Sequence, residues 1–105
     1  MNFDDYQTRA MQTALPSALN PTYMIANLAA EAGEVAGAYA KAGRDGWSAE
    51  DFAERMVGEL GDCVWQIAGV CEVLGLSLEE VAEANLAKLA DRQRRGKIGG
   101  SGDAR

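Results

Sequence analysis

Two pairs of acidic residues carry the clearest chemical signal in this chain: Glu31 with Glu34, and Glu59 with Asp62. Each pair has i, i+3 spacing, which sets both carboxylates on one helix face. The spacing alone is common, since Asp51/Glu54 and Glu80/Glu83 share it. Context separates the four pairs. Asp51/Glu54 falls in the first turn of an expected helix, where acids favour the macrodipole. Glu80/Glu83 reads as a capping acid with a solvated neighbour. The other two pairs sit mid-helix among small and apolar residues, in Leu28-Ala-Ala-Glu-Ala-Gly-Glu-Val and Val57-Gly-Glu-Leu-Gly-Asp-Cys-Val. Like charges at this spacing repel by roughly 0.2–0.5 kcal/mol when exposed. In a half-buried setting the cost grows several-fold unless a cation offsets it. Gly33, Gly58 and Gly61 each cost about 1 kcal/mol of helix propensity, and glycine lets another helix or a ligand come close. Local rules broken together in this way point to function.

If the two helices pack antiparallel, the pairs face each other and offer four carboxylates. A set of hard oxygen ligands without nitrogen or sulfur suits Mg²⁺, with Mn²⁺ as a substitute. The plainer alternative is an ion-pair network with Arg55, Lys41 or Arg44, because buried charges are usually paired. Further along, Asn85, Lys88, Arg92 and Arg95 are spaced three, four, three and line one helix face. Three cations and an amide suit phosphate oxygens. A solvated basic helix end, favoured by the dipole, is the alternative. Lys41 and Asn27 fall on the Glu31/Glu34 face, one turn or more to either side. Trp47 and Trp65 suit base stacking or a helix interface, and Tyr6, Gln7 and Met11 suit the cover of a pocket.

Composition narrows the chemistry. The 105 residues include no histidine. That removes serine and cysteine triads, histidine zinc sites and Glu-x-x-His di-iron bundles. The net charge of −6 is a poor match for a nucleic-acid polymer or an anionic membrane. It admits an anionic small substrate where a metal ion lies between the charges. Cys63 and Cys71 stand roughly 12 Å apart on one helix, too far for a disulfide. Two free thiols fit a cytoplasmic protein. The start, Met1-Asn-Phe-Asp-Asp, lacks the basic and apolar regions of a secretion signal.

Four helices must position these residues. The first spans about Phe3 to Thr13. The second starts at Asn20-Pro21 and runs to about Ala42, where Gly43-Arg-Asp-Gly breaks it. The third opens at Ser48, carries Phe52, Met56, Leu60, Cys63, Ile67, Cys71 and Leu74 as an apolar stripe, and closes at Gly75. The fourth opens with Ser77-Leu-Glu-Glu and runs to about Arg95. No strand pattern competes. The expectation is an all-α, four-helix domain over residues 1–95, with a flexible glycine-rich tail over 96–105. Helices two and three are apolar or small around much of their circumference, so a partner copy is expected to complete the core.

The sequence resembles the MazG-like nucleoside triphosphate pyrophosphohydrolases. The resemblance rests on Glu31-x-x-Glu34 and Glu59-x-x-Asp62 within Asn27-Leu-Ala-Ala-Glu-Ala-Gly-Glu-Val and Gly58-Glu-Leu-Gly-Asp. Asn85-x-x-Lys88-x-x-x-Arg92 supports it, and it extends from about Tyr23 to Arg95. It implies a MazG-like all-α bundle that forms a homodimer or a dimer of dimers, with active sites near subunit contacts. The implied reaction is Mg²⁺-dependent cleavage of a nucleoside triphosphate between the α and β phosphates, giving the monophosphate and pyrophosphate, in nucleotide-pool cleansing. By the same resemblance Glu31, Glu34, Glu59 and Asp62 hold the metal, with Glu34 and Glu31 acting in catalysis. Asn85, Lys88, Arg92 and Lys41 would contact substrate. Phosphoribosyl-ATP and dUTP pyrophosphohydrolases of the same superfamily look similar around the carboxylates. A non-catalytic helical interaction domain is the alternative from another class.

Overall fold

The computed structural model describes residues 1–105. It holds four helices and no strand: α1 (Phe3–Met11), α2 (Pro21–Asp45), α3 (Ala49–Val73) and α4 (Leu78–Arg94), with a short 3-10 turn at Pro16–Ala18. Each α-helix starts on a side chain that accepts an otherwise orphaned backbone N–H. Asn2 accepts from Asp5, Asn20 from Tyr23, Ser48 from Asp51 and Ser77 from Glu80, at 2.8 to 3.1 Å. Glycines in the left-handed region follow three of them: Gly46, Gly75 and Gly96. Two boundaries differ from expectation: α1 stops at Met11, short of Thr13, and α2 continues past Ala42. α2 runs through Gly43 and closes on Gly46, with the Trp47 N–H bonded to the Ala42 carbonyl at 3.0 Å. A single interior glycine costs only about 1 kcal/mol, and it is Gly46, not Gly43, that takes the left-handed conformation closing the helix.

α2 and α3 form an antiparallel hairpin, and α1 crosses α3 and the start of α4. The seam is closest at Gly69, where an added Cβ would lie 2.4 Å from Met24 Sδ. Gln7, expected to cover a pocket, instead serves the α3–α4 turn: its Nε2 donates to the Leu76 carbonyl and its Oε1 accepts from the Leu78 N–H. Glu79 accepts from the Phe3 and Asp4 N–H groups. Trp65 donates its indole N–H to Thr13 Oγ1 and the Ala10 carbonyl, pinning the end of α1. These bonds fix α4 at a bend of 105° from α3.

The core inside one chain is thin. Ala18, Met24, Ala38, Ala68, Cys71 and Leu78 are its buried apolar residues. Val57, Leu60, Val64 and Ile67, spaced by threes and fours along α3, are exposed, as are Ile25 and Tyr39 on α2. The radius of gyration is 16.5 Å, against about 13 Å for a compact chain of this length. The accessible surface is 7126 Å², and a compact monomer of this mass exposes about 5,700 Å². No single helix is long and apolar enough to cross a membrane.

Candidate metal and phosphate site

The antiparallel hairpin brings the two acidic pairs together. One carboxylate oxygen from each of Glu31, Glu34, Glu59 and Asp62 lies within 4.8 Å of the others. Glu59 is buried, Glu31 half-buried, and Glu34 and Asp62 exposed. Burial pushes the Glu31 carboxyl above its ordinary range, and Glu34, Asp62 and Glu59 add to the rise, while a hydrogen bond from Asn27 opposes it. The Cys63 thiol is pushed up by burial and then by the same four carboxylates. Asp62 also raises the Tyr6 phenol, behind the larger effect of burial.

Of the cations that could pair with these acids, only Arg55 does so: its Nε donates to Glu59 Oε1 at 3.0 Å. Arg44 pairs with Asp45 instead. Glu31 Oε2 and Glu59 Oε2 are buried with no hydrogen-bond partner. An orphaned buried carboxylate oxygen is costly, and two of them in an all-oxygen cluster fit a hard divalent cation. The residues present therefore suit such an ion.

The cluster has a support that the sequence reading missed. Gln66 is 1% exposed. Its Nε2 donates to the Met24 carbonyl at 3.1 Å, and its Oε1 accepts from Asn27 Nδ2 at 2.9 Å. Asn27 Nδ2 also reaches Glu31 Oε1 at 3.4 Å. A buried amide thus orients a second amide, which orients an acid. The available signal was position: Gln66 stands seven residues after Glu59, on the same face of α3.

A profile for the MazG nucleotide pyrophosphohydrolase domain matches residues 19–96. This chain belongs to the MazG family. The chain is also similar to the Gene 37 protein of Mycobacterium phage L5, with 36% identity over 114 aligned positions covering the whole of both chains. No solved structure matches. The matched span of the MazG domain contains all four acids, the Asn27–Gln66 pair and the whole of α2, α3 and α4.

Beside the acids, the MazG domain has a groove of about 340 Å³ between α2 and α3. Glu34, Lys41, Arg55 and Glu59 line it, over a floor of Ala30, Gly33, Gly37 and Ala38. Lys41 is thus on the wall next to the cluster. Asn85, Lys88 and Arg92 are elsewhere. The helical rise and the 105° bend put Lys88 on the order of 20 Å from the acids of its own chain. Lys88 and Arg92 do meet an anion there, the carboxylate of Asp103, at 2.7 and 3.1 Å. Gly96, Gly100 and Gly102 take left-handed conformations as the tail folds back onto α4. Arg92 is buried, and its Nε has no partner. Asn85 is exposed on α4.

Proposed function

We propose that this MazG domain is a divalent-metal-dependent nucleoside triphosphate pyrophosphohydrolase, cleaving between the α and β phosphates to release the monophosphate and pyrophosphate, with Mg²⁺ as the ion and Mn²⁺ as a substitute. The observation that carries the reading is the four-carboxylate cluster with two buried, unpartnered oxygens. An interaction domain held by salt bridges would pair those acids, and only Glu59 has a cation.

In this reading Glu31, Glu34, Glu59 and Asp62 hold the ion, and the Gln66–Asn27 relay keeps Glu31 aimed into the cluster. A bound divalent cation supplies positive charge against the phosphates and acidifies the attacking water. Glu34, exposed at the groove, accepts the water proton, with Glu31 beside it as the second acid. Lys41 steadies the phosphate chain in the groove.

Asn85, Lys88 and Arg92 serve the site of a second copy. Their separation from the acids of their own chain supports this, as does the exposure of Leu86 and Leu89 on α4. The excess of about 1,400 Å² over a compact monomer is on the scale that homodimers bury per subunit. A homodimer, or a tetramer built from two, fits the exposed faces of α2 and α3. Two free cysteines fit a reducing compartment, and nucleotide-pool cleansing is the role such an activity would have.

The test is substitution of the acids. Glu34→Gln and Asp62→Asn should each abolish metal-dependent cleavage while circular dichroism stays unchanged. Full activity in either would remove the assignment.

A further inference from the structure

We propose that Arg55 is an exchange cation, which holds Glu59 in the absence of metal and turns onto the phosphate chain of substrate when Glu59 takes up its place in the cluster. The proposal rests on the reading above. Arg55 Nε donates to Glu59 Oε1, while Glu59 Oε2 is buried and unpartnered. The Glu59 side chain is 9% exposed and that of Arg55 is 53% exposed. One end of the pair is therefore fixed and the other free to swing. The swing has somewhere to go, because Arg55 and Lys41 both line the groove that runs past Glu34.

Charge balance favours the exchange. Four carboxylates carry four negative charges, and Arg55 is the one cation paired with any of them. A divalent cation among them competes with the guanidinium for Glu59 and repels it, which frees Arg55 for another anion. A polyphosphate entering the groove brings new negative charge, and a guanidinium can bind two phosphate oxygens at once. The floor of the groove supports the same reading. An added Cβ at Gly33 or Gly37 would meet nothing within 4 Å. Neither glycine is required by packing inside the chain, yet each costs helix propensity. Their absent side chains keep open a slot that a flat or extended anion can enter.

The test compares wild type, Arg55→Gln and Arg55→Lys by calorimetry. Mn²⁺ alone is titrated first, then inorganic pyrophosphate in the presence of Mn²⁺. Arg55→Gln should bind Mn²⁺ as tightly as wild type or more tightly, since a competing ion pair is gone. It should bind pyrophosphate about tenfold more weakly or worse, and Arg55→Lys should recover part of that loss. If Arg55 only orients Glu59, the pattern inverts: Mn²⁺ binding falls and pyrophosphate affinity for the loaded protein stays unchanged. That result would overturn the proposal. Wild type that cleaves nucleotide, alongside Arg55→Gln with intact pyrophosphate affinity, would overturn this inference alone. Wild type that binds neither metal nor pyrophosphate would overturn the functional reading with it.

Discussion

The same substitution at two glycines should move stability in opposite directions. Gly37 lies in the middle of α2 on the groove floor, and a Cβ there meets nothing within 4 Å. Gly37→Ala should then gain the helix propensity difference, about 0.8–1 kcal/mol. In a domain of this size that raises Tm by about 4–8 °C. Gly69 lies about one turn before the end of α3, where the new Cβ would be 2.4 Å from Met24 Sδ and 2.8 Å from its Cε. Met24 is fully buried, and Gln66 Nε2 donates to its sulfur at 3.2 Å. Because Met24 is wholly buried, a shift of its thioether displaces packed neighbours, and overpacking of about 1–3 kcal/mol outweighs the helical gain. Gly69→Ala should lower Tm by several degrees, as an order-of-magnitude expectation. Thermal and urea denaturation of both variants at one protein concentration would measure the pair. Gly37→Ala should also weaken pyrophosphate binding, because its methyl group enters the groove. A stabilised protein with weaker ligand binding is the signature of a glycine kept for the ligand. A Gly37→Ala variant that loses stability, or a Gly69→Ala variant that gains it, would refute the packing argument.

Three further outcomes are expected. Mixing Glu34→Gln with Lys88→Ala, each inactive alone, should restore about a quarter of wild-type activity by statistical subunit exchange; a mixture that stays inactive would place α4 in the site of its own chain. Without metal, the raised Glu31 carboxyl makes its contribution to stability complete below the unfolded value of 4.5 and lost as pH rises through the folded one. Tm of the metal-free protein should therefore fall across that window above pH 4.5, and a Tm flat in pH there would contradict the assignment. Adding Mg²⁺ at neutral pH should reverse the loss by about 2.7 kcal/mol at a hundredfold excess over Kd, read as a Tm rise that chelator abolishes.

How much the sequence discloses depends on the range of the interaction. Helix starts at Asn20, Ser48 and Ser77 are local, set by one side chain and the N–H three residues on, and all three stand where the residue types put them. The four acids are legible because their spacing is local within each pair and antiparallel packing is enough to bring the pairs together. The end of α2 differs from the sequence expectation because Gly46, and not Gly43, takes the left-handed conformation that closes a helix, a choice between two nearby glycines that residue type alone does not make. Gln66 is the long-range case: its place on the Glu59 face of α3 is legible, and its partners are not. Its role comes from Asn27 and Met24, about forty positions away, and no pattern in the neighbourhood of Gln66 encodes that pairing. The direction of α4 was also out of reach, since it is set by Gln7 and Glu79 holding a turn against α1. The stripe Asn85, Lys88 and Arg92 was readable as one face, but not which site it faces.

The central claim is a metal-dependent split between the α and β phosphates. The most direct measurement incubates the full chain with a panel of ribo- and deoxyribonucleoside triphosphates, phosphoribosyl-ATP included, with Mg²⁺ or with chelator, and separates the products by ion exchange. Monophosphate and pyrophosphate, formed only with Mg²⁺, are the predicted result. Diphosphate and phosphate, or no turnover of any nucleotide in the panel, would contradict it.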